Sequence, residues 1–240
     1  MENLTPEQER QQAIRSRRMM TWLMIFAIVM FFAGLTSAYV VSMSGGYWTR
    51  IALPEAFLWS TLFVVAGSVT VHLALTAVRK GDRKPVVGLL ALTFALGIAF
   101  TVSQFRGWNH LVERGITLSP NKLNRLGGEY GTDYAITKDG VQLVLADGKW
   151  YLPDDTAMAR PLNADIDEQK DRTGPYLYAL TVLHLAHLFF GLLAIAIMVV
   201  MAMRGRYTAT DHVGLWAGAT YWHFLGGLWI YLLLFLLFVH

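Results

Sequence analysis

Four histidines sit inside long apolar stretches of this 240-residue chain, and they are the side chains there best able to do chemistry. His184 and His187 stand at i, i+3 and so share a helix face. His72 and His223 stand in two other stretches. Imidazoles on facing helices at matched depth bind haem or a metal ion. His184 and His223 each lie about two to three turns from the N-terminal end of their own stretch. In antiparallel neighbours those two depths match poorly. Cysteine is absent, which excludes disulfides, iron–sulfur clusters, CxxCH haem attachment and thiolate metal sites. No Asp or Glu lies within the stretches; Glu55 and Asp211 stand at their mouths. A di-metal carboxylate centre needs Glu residues. An intramembrane proton or ion path is marked by carboxylates, whose burial is too costly to be retained without function. The residues therefore point to neutral histidines that hydrogen-bond neighbouring helices or lipid head groups. They place no catalytic residue, no metal and no cofactor on this chain.

The elements that must hold these side chains are membrane helices. Only 15% of the residues are charged, against about a quarter in a soluble domain, and the mean hydropathy is +0.40. A helix needs roughly 20 apolar residues to cross a bilayer. Five stretches have that length: 20–41, 56–78, 86–105, 176–203 and 213–239. The first is too long for the hydrophobic part of a cleavable signal and is followed by no small-residue cleavage site. Positive residues set the orientation. Arg15, Arg17 and Arg18 precede span one. Arg79, Lys80, Arg83 and Lys84 separate spans two and three, and Arg204 and Arg206 separate spans four and five. Only Arg50 follows span one. The expected fold is thus an all-α integral membrane protein, a five-transmembrane-helix bundle with its N-terminus cytoplasmic and its C-terminus, His240, outside. The net charge of +3 is explained by these inner loops and needs no nucleic acid.

Four regions follow: a frayed or amphipathic cytoplasmic lead-in over 1–19, three helices over 20–105, an outer loop over 106–174, and two helices over 175–240. The outer loop is polar and is expected to be β-rich. Tyr134-Ala-Ile-Thr137 and Val141-Gln-Leu-Val-Leu145 flank an Asp139-Gly140, and Asp147-Gly148 precedes Lys149-Trp-Tyr-Leu152. Asp-Gly between β-prone runs is the strongest short hairpin signal, so a three-stranded meander is expected. A loop this long is seldom idle; it is either a lid on its own helices or a dock for a partner.

Span five is dense in aromatic residues, and Trp222, Gly226 and Trp229 fall on one face. Gly214 and Gly218 form a G-x-x-x-G pair that favours close helix approach. Gly226-Gly227 offers a second approach or a groove. The same span carries Tyr221-Trp222-His223-Phe224 followed by Leu225-Gly226-Gly227-Leu228-Trp229. This resembles the Y-W-H-F-V-D-x-x-W signature in the last helix of subunit III of the haem–copper oxidases. Span four carries Thr181-Val-Leu-His184-Leu-Ala-His187-Leu-Phe-Phe-Gly191, similar to that family's T-G-x-H-x-x-H-V-x-x-G. Span one carries Val29-Met30-Phe31-Phe32 and Ala38, like the family's S-E-V-M-F-F segment. Span three carries Thr93, Leu96-Gly97, Phe100, Gln104, Gly107 and Trp108, matching a run in bacterial members. The resemblance covers all five spans in order and leaves out the long loop.

The resemblance implies a seven-helix bundle in the full form, with shorter bacterial forms lacking the first two helices. It implies a cleft that holds phospholipid, no haem or copper on this subunit, and packing beside subunit I, where the subunit supports proton uptake and limits turnover-linked inactivation. It marks His184, His187, Tyr221, Trp222, His223 and Trp229 as structural or lipid-facing. The implied partners are subunits I and II, which carry haem and copper, and phospholipids, in a bacterial inner membrane. A cytochrome c domain or another respiratory complex is a further candidate partner through the loop 106–174.

The departures run one way. Ile28 stands where the family has a membrane-buried Glu, Gly226 where the signature has Asp, and Trp216 where many members have Glu. Val182 replaces a Gly. Roles that depend on those acids are not expected here. The function this implies is an accessory, non-catalytic subunit of a proton-pumping terminal oxidase that reduces O2 to water. The alternatives are a subunit-III-like component of a nitric oxide reductase, and a stand-alone b-type cytochrome using His184 or His187 with His72 or His223. A small transporter is disfavoured by the missing acids and by spans without a Gly/Pro break.

Overall fold

The computed structural model describes residues 5–119, 122–123 and 126–239; His240 lies outside them. Five long helices are α1 (Pro6–Met43), α2 (Ala56–Arg79), α3 (Val86–Glu113), α5 (Thr173–Met203) and α6 (Val213–Phe238). All five are long and apolar enough to cross a membrane. The remaining elements are a short helix α4 (Asn163–Glu168) and five strands: β1 (Tyr47–Ile51), β2 (Tyr134–Lys138), β3 (Val141–Gln142), β4 (Val144–Ala146) and β5 (Lys149–Tyr151).

Of the lead-in expected over 1–19, residues 1–4 lie outside the described residues and 6–19 are not a separate element. α1 begins at Pro6 and runs unbroken through it. The cause is a capping box. Gln8 Oε1 accepts from the Thr5 N–H at 2.8 Å, and the Thr5 hydroxyl accepts from the Gln8 N–H at 3.4 Å, with Pro at the first helical position. Arg10 then donates to the Thr210 carbonyl at 3.0 Å, which ties this part of α1 to the α5–α6 connection. The loop expected over 106–174 is also shorter than expected, because α3 runs on to Glu113 and α5 starts at Thr173.

The chain divides into two compact units. One comprises Met1–Phe32, Trp59–Val102 and His184–Ile230; the other comprises Ala33–Leu58, Ser103–Leu183 and Tyr231–His240. The first is built around glycines. A Cβ on Gly97 of α3 would lie 2.6 Å from Trp222 and 2.5 Å from Leu192. A Cβ on Gly218 of α6 would lie 2.5 Å from the Met198 sulfur of α5. The G-x-x-x-G pair thus has one member, Gly218, in close contact with α5. Lipid tails are as apolar as leucine, so helices associate through such dispersion contacts and through polar bonds rather than by escaping water. Thr70 and Thr93 supply one such bond, between α2 and α3, at 2.7 Å.

The second unit holds the strands. β1, β2 and β3 form one antiparallel sheet in that order, with Thr49 opposite Ile136, and β4 and β5 form a separate hairpin. The single three-stranded meander is therefore corrected. The run expected from Val141 to Leu145 breaks at buried Leu143, and the third strand of the sheet comes from the α1–α2 connection. Both Asp-Gly pairs are turns with positive φ: 50° and 83° at Asp139 and Gly140, 49° and 73° at Asp147 and Gly148. That is the backbone of a two-residue hairpin turn.

Tyr39, Trp48, Tyr176 and Phe235 form an edge-to-face cluster around Tyr39, at 5.0, 5.5 and 5.1 Å. Ser103 donates to the Ala56 carbonyl at 2.6 Å, and Trp108 donates to the Thr181 hydroxyl at 3.1 Å. Asp171 caps α5. Its carboxylate accepts from the Thr173 and Gly174 N–H groups at 3.0 and 3.1 Å. Asp171 is 2% exposed, and burial raises its pKa above the ordinary 3.8 against the lowering by those bonds. A carboxyl with a raised folded-state pKa binds its proton more tightly folded than unfolded. Its contribution to stability is greatest in acid and falls as pH rises from about 4 through the raised value. Asp171→Asn should flatten that slope, and Asp171→Ala should cost about 1 kcal/mol or somewhat more through the lost cap. Thermal unfolding in detergent between acid and neutral pH reads both.

Candidate functional site

The two histidines that share a face of α5 part company in space. His184 is fully buried between Phe100 at 5.9 Å and Trp229 at 5.4 Å. His187 is half-buried, 5.7 Å from the Phe32 ring, and its carbonyl accepts from the Tyr221 hydroxyl at 3.0 Å. The imidazoles that meet are His72 of α2 and His223 of α6, with ring centres 6.0 Å apart. Among the described residues no three His, Asp or Glu gather as metal ligands.

Trp222 and Trp229 are the packing centre of α6, 1% and 0% exposed. Trp222 faces three glycines on three other helices. Their added Cβ atoms would stand 3.2, 2.6 and 3.6 Å from it at Gly67, Gly97 and Gly191. Trp229 packs edge-to-face on Phe100 at 5.3 Å and donates its indole N–H to the Thr61 hydroxyl at 2.9 Å. Sequence reasoning passed over Thr61, since a single Thr in a span carries no pattern. Thr61→Val should cost roughly 1 kcal/mol, typical of an interhelical bond in lipid, while Thr61→Ser should be nearly neutral. Unfolding of the two variants side by side in detergent checks this.

Two apolar grooves open beside these residues. One, about 460 Å³, is lined by Val64, Ser68, Val69, His72, His223 and Gly227, among others. The other, about 560 Å³, is lined by Thr21, Met24, Ile28, His187, Phe190 and Tyr221, among others. Ile28 is thus a wall of the second groove, and Gly226 backs onto Ser68 and Val64, where a Cβ would meet them at 3.2 and 3.4 Å. At Trp216 the indole sits under the Arg18 guanidinium, 5.2 Å from the ring centre. A cation–π contact therefore engages Arg18 at the position where many members of the resembled family have Glu.

In the other unit, Arg114 pairs with Asp133 at 2.9 Å. Lys138 lies over the Tyr47 ring at 4.9 Å and reaches Asp165 at 3.6 Å. Val141, Val144 and Leu145 are exposed on the strands.

Helices of this length and composition, bound through glycines and flanked by apolar grooves, define a multi-span helical membrane protein. No family model matches the chain. It is similar to proteins named cytochrome c oxidase subunit 3. That of Corynebacterium diphtheriae is 25% identical over 219 residues, 88% of this chain and 82% of the relative. Those of Sus scrofa and Gadus morhua are 23% and 25% identical over 221 residues, and there the chain spans 64% of the relative's length. The relatives thus name the same family, subunit III of the cytochrome c oxidases, as the motifs of the spans.

Proposed function

We propose that this chain is the accessory, non-catalytic subunit III of a bacterial proton-pumping haem–copper terminal oxidase. The oxidase reduces O2 to water with cytochrome c as donor. The observation that carries this reading is the similarity over 88% of the chain to a bacterial subunit 3, on a fold whose five helices each satisfy the length of a span. In this reading the N-terminus is cytoplasmic, the strands lie outside, and subunits I and II hold the haem and copper. The chain holds no redox group of its own. His184, Trp222 and Trp229 are packing residues. Ile28, His187 and Tyr221 line a groove for a phospholipid, whose head lies toward Arg17 and Arg18. The chain steadies subunit I and supports proton uptake into it.

The missing acids sharpen the role. A chain with Ile28 and Gly226 in place of carboxylates has no carboxylate there to pass protons, so its support for proton uptake is exerted through packing and lipid. Stripping the chain from the purified oxidase should leave the haem and copper content unchanged and hasten loss of activity during turnover. Loss of haem in proportion to loss of the chain would contradict a non-catalytic role. The exposed Val141, Val144 and Leu145, with Asp139 and Asp147 at the turns, are offered as the dock for a cytochrome c domain or another respiratory complex. Replacing the three apolar residues by Thr, which retains β propensity, should then weaken donor affinity without altering subunit composition. Unchanged affinity would return the strands to the role of a lid.

A further inference from the structure

We propose that the groove between α2 and α6 is a binding site for a neutral lipid whose hydroxyl or carbonyl head is held by His72 and His223. Imidazoles in a membrane span are costly unless they are bonded. His72 and His223 contact each other ring to ring, and neither hydrogen-bonds a protein group among the described residues. A neutral imidazole has one donor and one acceptor nitrogen. Two such rings with centres 6.0 Å apart are near enough for one oxygen to bond a nitrogen of each at about 2.8 Å. A hydroxyl would accept from one ring and donate to the other; a carbonyl would accept from both. Ser68 stands on the same groove wall.

Depth selects the head. His72 lies seven residues before the end of α2 at Arg79, and His223 ten residues after the start of α6 at Val213. At a rise of 1.5 Å per residue these are roughly 10 and 15 Å inside the helix ends. A phosphate or another charged head is disfavoured by desolvation that far from the helix ends. Two donors alone are also too few for an ordinary structural or catalytic zinc site, which uses three or four protein ligands.

The rest of the groove fits a tail. Its walls include Val64, Val65, Val69, Leu73 and Ile230, and its volume is about 460 Å³. One bridging water would occupy only about 30 Å³ of that space. Gly227 keeps the groove open: a Cβ built there meets nothing within 4 Å, whereas one on neighbouring Gly226 touches Ser68 and Val64. A side chain at 227 therefore fills the groove without displacing the protein. This site is separate from the phospholipid groove proposed beside Ile28 and does not depend on the oxidase assignment.

Two light-activated probes test it on the chain purified in mild detergent with its native partners: an azido derivative of an isoprenoid quinone and a diazirine-bearing diacylglycerol. One of them should label peptides within 64–73 or 223–230, and which one does so identifies the source of the head group. Gly227→Leu should reduce that labelling at least tenfold. His72→Phe, which keeps the exposed ring and removes its nitrogens, should do the same and serves if Gly227→Leu fails to assemble. Organic extracts of the wild-type protein should contain about one matching neutral lipid per chain. Failure of both probes to label these segments would overturn the proposal. So would equal labelling of the wild type and the variants, or extracts holding phospholipid alone.

Discussion

Trp222→Ala is expected to destabilise the protein more than any other single substitution in α6. The indole is 1% exposed and seated on Gly67, Gly97 and Gly191, from three different helices. None of those helices can move in to fill its place without losing its own contacts. In lipid the transfer component of a large-to-small substitution is mostly absent, and the cavity component remains. A residual cavity on the order of 100 Å³ at about 24 cal/mol per Å³ costs roughly 2–3 kcal/mol. The variant should unfold earlier in detergent and, as part of a complex, be lost first from its partners. Trp222→Phe should lie between. An unchanged midpoint for Trp222→Ala would mean that the helices are not held together at this point.

Gly97→Val is expected to have an effect of similar size and opposite cause. Its Cβ alone would stand 2.5 Å from Leu192 and 2.6 Å from Trp222, well inside contact distance, and the branch adds more. Overpacking of this kind costs about 1–3 kcal/mol, with the upper part of the range expected because Trp222 has no free side to turn toward. The two sites share one contact, so their effects must not add. Gly97→Ala should destabilise the wild type and cost less in a Trp222→Leu background, where only the contact with Leu192 remains. A double-mutant cycle on the four proteins measures this. Additive costs would show that the clash is relieved elsewhere.

The helices were legible because their apolar runs exceed the membrane thickness, and their edges were not. α1 extends back to Pro6 because a Thr5–Gln8 capping box outweighs the loss of apolar pattern among Arg10, Arg15, Arg17 and Arg18. α3 continues to Glu113 past the end of its apolar run, since Arg106, Asn109 and His110 end hydrophobicity without ending helicity. The hairpin turns were legible in full, because Asp-Gly requires nothing beyond two residues able to take positive φ. β1 was not, because its partner lies almost ninety residues away: Trp48 opposes Thr137. Five residues with no turn of their own carry no local sign of that pairing. Of the site, the shared face of Trp222 and Trp229 could be read from their spacing. The meeting of His72 with His223 could not, since it depends on which helices are neighbours, and no periodicity encodes that. Sequence reasoning weighed His184 against His223; the structure instead encloses His184 in aromatic rings and pairs His223 with α2.

The most direct test of the proposed function is to tag this chain, solubilise native membranes in mild detergent, and record the visible spectrum and subunit masses of what comes with it. The expected result is a stoichiometric complex containing haem, copper and a large subunit I, with a copper-bearing subunit II alongside. Haem b with non-haem iron and no copper would move the chain to a nitric oxide reductase. A chain that emerged alone and carried its own haem absorption would make the histidines ligands and contradict the accessory role.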